Sequence, residues 1–277
     1  MTETWLITGC STGLGKNIAK VLLENGKKVA VTARKTDTVR ELGEAFPDNA
    51  LILPLDVTDP EAVKKAVEKT CEAFGGIDVL VNNAGYGYRA AVEEGLEEDV
   101  QRLFETNFFG PVRMIKEVLP HMRSRRKGVI VNVSSVAVEY TMPGSGYYSA
   151  SKCALEGLSD GLRRETEPLG IKVMVVEPGA FRTDFSGRSL TQSVRAISDY
   201  DETAGKRRIG ADKTHGTQPG DPYRAAQRIM ETVDAGDVPF RLVLGRDAVE
   251  VVEASLQQRT AELEKWKTVS VQTDYEQ

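Results

Sequence analysis

The sequence predicts an α/β protein built as one domain: a doubly wound, seven-stranded parallel sheet with helices on both faces and a lid segment before the C-terminal helices. Three observations predict it. Short apolar runs alternate along the chain with longer amphipathic stretches. The apolar runs are continuous and rich in β-branched residues, as strands covered on both faces require. A glycine-rich turn, Gly9-x-x-x-Gly13-x-Gly15, lies straight after the first run and opens the first helical stretch. A chain of 277 residues, 40% hydrophobic and 28% charged, can bury one large core of this kind.

The elements follow in order. Trp5-Leu6-Ile7, Val29-Ala30-Val31, Leu51-Ile52-Leu53 and Val79-Leu80-Val81 read as the first four strands. Gly128 to Val133, Ile171 to Val176 and Leu242-Val243-Leu244 complete the set of seven. Helical periodicity covers 14–25, 38–46, 60–74, 97–125, 148–168 and 221–235, and this alternation winds helices over both faces. From Asp184 to Asp221 the rhythm breaks into a polar, glycine-containing stretch carrying Arg207, Arg208 and Lys213. A connection that long predicts a lid, 184–221, over a site. Val249, Val252, Leu256, Leu263 and Trp266 are then spaced for one face of a helix over 246–267, and the polar residues 268–277 predict a frayed tail.

Composition removes several functions. A net charge of −5 argues against a basic nucleic-acid surface, and the local cluster from Arg123 to Lys127 reads as a solvated helix end. The run Trp5-Leu6-Ile7 is too short for a signal-peptide core, and no stretch approaches a membrane span. Three scattered cysteines and two histidines supply neither a disulfide framework nor a metal-ligand set, so a reducing cytoplasm and no metal are expected.

The glycine turn predicts a dinucleotide site. Gly9, Gly13 and Gly15 let backbone N–H groups approach a pyrophosphate at a helix N-terminus, with Ser11, Thr12 and Leu14 between them. Ala33-Arg34-Lys35 ends the second strand where an acidic residue would hold the ribose 2′-hydroxyl of NAD; Arg34 instead suits a 2′-phosphate, predicting NADP(H) over NAD. Ser11 and Thr12 supply hydroxyl donors for the same phosphate. Asp56-Val57 closes the third strand, and two readings of Asp56 stay open: an acceptor for an adenine amine, or turn chemistry with Thr58-Asp59-Pro60. Asn82-Asn83-Ala84-Gly85 ends the fourth strand beside the same cleft.

Tyr148 and Lys152 stand at i and i+4, sharing a helix face. A cation close to a phenol favours the phenolate and lowers its pKa from about 10 toward the operating range of an acid–base catalyst. Upstream, Ser135 ends the fifth strand, where ligands of doubly wound sheets bind; its hydroxyl can hold the oxygen that Tyr148 protonates, with Ser134 as the second candidate.

The ordered set Thr8-Gly9-x-x-x-Gly13-x-Gly15, Asp56, Asn82-Asn83-Ala84-Gly85, Asn107, Ser135, Tyr148-x-x-x-Lys152 and Pro178-Gly179 with Thr183 resembles the classical short-chain dehydrogenases/reductases, whose domain is a Rossmann fold. The resemblance covers roughly residues 4–185. It implies that Tyr148 is the general acid/base, that Lys152 lowers its pKa and binds the nicotinamide ribose, and that Ser135 orients the substrate oxygen. It further implies that Asn107 holds a water in a proton relay ending at Lys152 and that Asn83 supports the cofactor. Pro178, Gly179 and Thr183 would contact the nicotinamide end, while Asp56 would bind adenine. Leu14 stands where isoleucine is commoner, an apolar exchange.

The residues expected to border the substrate are Tyr86, Tyr88, Val138, Tyr140, Met142, Pro143, Tyr147, Phe181 and Phe185, an aromatic and apolar set suiting a bulky apolar ketone, aldehyde or alcohol. The C-terminal length and the Arg34-Lys35 pair resemble the steroid and retinol dehydrogenase branch. Two alternatives stand beside this reading: a 3-oxoacyl-thioester reductase using Arg207, Arg208 and Lys213, and a cofactor-sensing binding protein on the same scaffold. A homodimer pairing the 97–125 pattern and the helix beginning at Tyr148 is expected, with a tetramer as the alternative.

Overall fold

The computed structural model describes residues 3–187, 189–209 and 216–275. Its nine strands are β1 (Thr4–Ile7), β2 (Lys28–Ala33), β3 (Ala50–Pro54), β4 (Val79–Asn82), β5 (Gly87–Arg89), β6 (Gly128–Val133), β7 (Ile171–Pro178), β8 (Leu190–Gln192) and β9 (Arg241–Leu244). The helices are α1 (Gly13–Glu24), α2 (Arg40–Ala45), α3 (Pro60–Phe74), α4 (Glu97–Phe104), α5 (Gly110–Arg125), α6 (Gly146–Thr166), α7 (Lys206–Ile209), α8 (Pro222–Asp234) and α9 (Arg246–Ser270).

Seven strands form one parallel sheet in the order β3-β2-β1-β4-β6-β7-β9. Successive residues of each strand face opposite layers, and both layers are apolar. Trp5 and Ile7 join Ile18, Leu22, Ile229 and Val233 on the α1/α8 side. Leu6 and Leu80 join Val67, Met114 and Val118 on the α3/α5 side. The strand order reverses between β1 and β4, so the loops leaving these two strands diverge and open a cleft beyond the sheet's carboxyl edge.

Two departures from the sequence reading bear on the site. The 97–125 pattern is not one regular helix, because a π turn over Glu105–Phe109 separates α4 from α5. The widened turn carries Asn107, which is fully buried and donates to the Tyr86 carbonyl (2.9 Å) while accepting from the Tyr86 amide (3.0 Å). The lid segment also has structure. Its β8 pairs with β5 in a second, two-stranded sheet, and fully buried Glu94 fastens it further. Glu94 accepts from the amides of Ala91 and Ile197, both at 2.9 Å, and pairs with Arg208 at 2.8 Å. These donors hold the Glu94 carboxyl below its ordinary value despite the opposing effect of burial.

The C-terminal helix extends to Ser270. The apolar face expected to pack is largely solvent-facing: Leu256, Leu263 and Trp266 are 56%, 61% and 52% exposed. Among the described residues, no helix is long and apolar enough to cross a membrane.

Candidate active site

A cleft of about 750 Å³ runs along the carboxyl edge of the sheet from Arg34 past Gly85 to Phe185. Its floor is the glycine turn. Gly9 (φ 72°) and Gly13 (φ 59°) both use the left-handed region. At Gly15 the constraint is steric: a β-carbon would lie 2.3 Å from the Asn83 amide nitrogen. That amide stitches the turn to β4, donating to the carbonyls of Thr8 (2.9 Å) and Gly9 (3.0 Å). At the start of α1, Thr12 makes no side-chain cap and the first turn carries no acidic residue. The helix therefore presents unpaired amides and a positive dipole end to the cleft, the donor set that a pyrophosphate requires.

Ser11, Thr12, Gly13 and Leu14 line this end with Arg34, Asp56 and Val57. Arg34 is exposed and makes no ion pair with the described residues, whereas Lys35 lies outside the cleft. Arg102 of α4 lines the same wall. Both guanidiniums act on the Tyr86 phenol, lowering its pKa against the dominant upward effect of burial. The sequence reading missed Arg102, since one arginine on a charged helix carries no pattern of its own. Asp56 makes the turn contacts of one of its two readings, Oδ1 accepting from the amide (2.9 Å) and hydroxyl (2.8 Å) of Thr58, and the residue also borders the cleft.

At the centre, Tyr148, Lys152 and Ser135 converge as the helical spacing predicts. The Ser135 hydroxyl, which accepts from the Ala137 amide (3.2 Å), also acts on the Tyr148 phenol, lowering its pKa. Ser134 faces away from it, donating to Glu156 at 2.5 Å. Lys152 donates to the Val133 carbonyl (2.8 Å) and lies 6.0 Å from the Tyr148 ring centroid. Gly85 separates Lys152 from Asn107: a β-carbon at this position would lie 3.5 Å from the Lys152 ammonium and 3.1 Å from Asn107 Oδ1. Asn107 is thus behind the wall of the cleft, next to Lys152, and also bonds to Ser151 (3.2 Å).

The expected lowering of the Tyr148 pKa by Lys152 is overridden in the protein by burial. Burial pushes the phenol up to about 12, with Ser135 pulling weakly the other way. Burial pushes Lys152 down to about 8, opposed by the charge of Glu156. The pair is therefore a phenol that keeps its proton at neutral pH beside an ammonium that titrates just above neutrality. Glu156, one helical turn beyond Lys152, went unnoticed in the sequence although the i+4 spacing exposes it. Behind it, fully buried Glu177 faces Arg241 at 3.1 Å, and burial raises its carboxyl to about 7.

The substrate end differs from expectation. Tyr86, Phe181 and Phe185 line the cleft, the Phe185 ring 5.5 Å from that of Tyr148. Pro178, Gly179 and Thr183 border it, as do Asn83, Ala84 and Gly85. Tyr88, Val138, Tyr140, Met142, Pro143 and Tyr147 do not. Tyr147 turns inward against Tyr88, its hydroxyl donating to the Val92 carbonyl (2.6 Å), and both rings belong to a small satellite core. Tyr140 (60% exposed) and Met142 (46% exposed) face solvent instead. Three polar residues that no motif marked, Ser189, Thr191 and Gln218, complete this end. Arg207 and Arg208 do not line it: Arg207 bonds to Ser145 (3.1 Å) and Arg208 to Glu94. Lys213 lies outside the described residues.

The short chain dehydrogenase family model matches residues 3–193. The chain belongs to this family. Among its curated relatives, the 3-ketodihydrosphingosine reductase of Bacteroides thetaiotaomicron is 38% identical over 87% of this chain and 87% of its own length. A solved short-chain dehydrogenase from Streptomyces avermitilis is 41% identical, covers 99% of both chains and superimposes with a TM-score of 0.91. The structure of ElxO with NADP bound is 30% identical, covering 83% of this chain and 91% of its own with a TM-score of 0.68. Short-chain dehydrogenase membership accounts for the fold and for the oxidoreductase class; of the residues bordering the substrate end, Ser189, Thr191 and Gln218 lie beyond the last of the motifs.

Proposed function

We propose that this short-chain dehydrogenase reduces a bulky, largely apolar ketone or aldehyde with NADPH, Tyr148 delivering the proton. The observation that carries the proposal is the buried, neutral Tyr148 phenol, with Ser135 and Lys152, in a cleft that also contains the glycine turn and Arg34. The cofactor fits the residues present. The amides at the start of α1 take the pyrophosphate, Arg34 the 2′-phosphate, and Pro178, Gly179 and Thr183 the nicotinamide end. The NADP bound by ElxO supports the same choice.

NADPH, when bound, supplies the hydride that adds to the carbonyl carbon. The Ser135 hydroxyl donates to the carbonyl oxygen and fixes its position. As negative charge develops there, the Tyr148 hydroxyl gives up its proton, which makes the product alcohol. Lys152, charged below about pH 8, stabilises the phenolate left behind and holds the ribose, while Asn107 supports the route by which a proton returns to Tyr148 through Lys152. A phenol held near 12 stays protonated through neutrality, so the site carries the proton that reduction consumes.

Phe181 and Phe185 suit a long or multi-ring apolar body, and Ser189 and Thr191 suit a polar group on the same molecule. The relative named as a 3-ketodihydrosphingosine reductase supports a long-chain ketone of this amphiphilic kind. Two of the three cations on which the thioester alternative rested, Arg207 and Arg208, serve the lid instead. The proposal includes a cytoplasmic location, which the free cysteines suit, and a homo-oligomer. NADPH oxidation followed at 340 nm across long-chain ketones, aromatic ketones, retinal, steroids, 3-oxoacyl thioesters and sugars tests the reading. Turnover of the apolar ketones is expected. Turnover confined to sugars or thioesters overturns the substrate class, and NADPH binding with no turnover at all favours the cofactor-sensing alternative.

A further inference from the structure

Glu156 is buried beneath α6, and the reaction described above leaves it without a role. It stands one turn beyond Lys152 on that helix, and the two residues are only 7% and 5% exposed. Their head groups are anchored on neighbouring residues at the end of β6. The Lys152 ammonium donates to the Val133 carbonyl (2.8 Å), and the Glu156 carboxylate accepts from the Ser134 hydroxyl (2.5 Å). Neighbouring residues of a strand are about 3.3 Å apart along its axis, so the unlike charges sit together away from water.

The surrounding elements each add a charged or titratable group. β7 supplies fully buried Glu177, β9 supplies Arg241, and the turn after β6 supplies Glu139. On α6 itself the Cys153 thiol feels the charge of Glu156. Glu139 is held by α9, accepting from Ser255 (2.8 Å) and pairing with Arg259 (3.8 Å). Arg241, over the Phe240 ring at 4.7 Å, reaches Glu177 at 3.1 Å and Glu156 at 3.5 Å, so two buried carboxylates share one guanidinium. They are not equivalent. Glu156 has the Ser134 donor as well, whereas neither oxygen of Glu177 has a hydrogen-bond partner among the described residues. The proton that such a crowded pair retains therefore goes to Glu177, whose carboxyl is raised to about 7, and Glu156 carries the negative charge.

That charge has a consequence one turn away. Burial drives the proton off Lys152, and the carboxylate of Glu156 opposes it. We propose that Glu156 is a positioning residue for the reduction: held by Ser134 and Arg241, its carboxylate keeps Lys152 in the charged form that steadies the Tyr148 phenolate and holds the cofactor ribose. This role rests on the proposed function, in which Lys152 acts in that form.

Two variants test it. Glu156→Gln keeps an acceptor for Ser134, and Glu156→Gln/Arg241→Gln also removes the guanidinium, so that no unpaired cation threatens the fold. For each, kcat/KM for ketone reduction is measured from pH 6 to pH 10, and NADPH binding is followed by fluorescence over the same range. Loss of the carboxylate favours the neutral amine, so the decline expected above about pH 8 in the wild type moves down by about one unit in both variants. At pH 8 this is about a five-fold loss, which fades toward pH 6, and NADPH binding weakens over the same lower range. A kcat/KM lowered by one factor at every pH, as a packing defect produces, overturns the proposal. So does a decline that stays at the wild-type pH. A wild type that reduces no ketone overturns the proposed function alone, and the binding titration then decides the role of Glu156 by the same shift or its absence.

Discussion

Tyr148→Phe lowers the turnover of ketone reduction on the order of 10³-fold and leaves NADPH binding nearly unchanged. The size follows from what is removed. The substitution deletes one hydroxyl, the one proposed to donate the proton, and positioned acid catalysis contributes about 10²–10⁴-fold. It leaves the ring, and with it the packing of Tyr148 against Phe185 and the course of α6. The loss therefore falls on kcat and on kcat/KM alike, the pattern of an interaction made only in the transition state. The wild-type pH profile carries the second signature. Tyr148, raised to about 12, remains protonated through neutrality, so the limiting ionisation is that of Lys152, lowered to about 8. Burial disfavours the ammonium, and the charge is lost as pH rises. For reduction, kcat/KM is expected to be level near pH 7 and to decline above about 8. A profile level to pH 10, or a Tyr148→Phe variant with wild-type turnover, contradicts the assignment.

Arg34→Ala is expected to lower kcat/KM for NADPH by about 10–100-fold while NADH changes little. A charge-assisted hydrogen bond to a phosphate is worth about 1.5–3 kcal/mol, which converts to that range at about 1.4 kcal/mol per tenfold. NADH has no 2′-phosphate to lose, so the variant's preference narrows from one side only. Arg102 also lines the cleft but is paired with Asp99, so it is expected to replace little of the lost charge. Steady-state kinetics with both cofactors check this. An equal fall for NADPH and NADH shows that Arg34 supports the fold of the cleft instead of reading the phosphate.

Much of the architecture and of the cofactor end could be read from the residues because each depended on a local rule. Seven apolar runs became seven parallel strands, since a strand buried on both faces leaves few other residue choices. Gly9, Gly13 and Gly15 were legible because backbone conformation or close approach restricts those positions to glycine. Tyr148 and Lys152 share a helix face at i and i+4, so their meeting followed from the helix alone.

Where the answer depended on tertiary packing, the residues were silent. Val138, Tyr140, Met142 and Tyr147 were grouped with the substrate by their apolar character and their nearness to Ser135 and Tyr148 in the chain. Packing against Tyr88 instead turns Tyr147 inward, and the loop carries Tyr140 and Met142 out to solvent. Ser189, Thr191 and Gln218 reach the cleft only because β8 pairs with β5 and the lid folds back, a non-local event with no periodic signature. Glu94 is the same case: a glutamate among several acidic residues became the buried anchor of the lid once Arg208 and two backbone amides met it. The Tyr148 pKa was misjudged for a related reason, since the cation was visible in the sequence and the burial that outweighs it was not.

The most direct test of the central claim is isotope transfer. The purified protein is incubated with NADPH deuterated at the transferable nicotinamide position and a long-chain ketone, and the product alcohol is analysed by mass spectrometry. One deuterium on the carbinol carbon of the wild-type product, with almost none formed by Tyr148→Phe, is the predicted result. Tight NADPH binding with no labelled alcohol from any apolar ketone or aldehyde would contradict it.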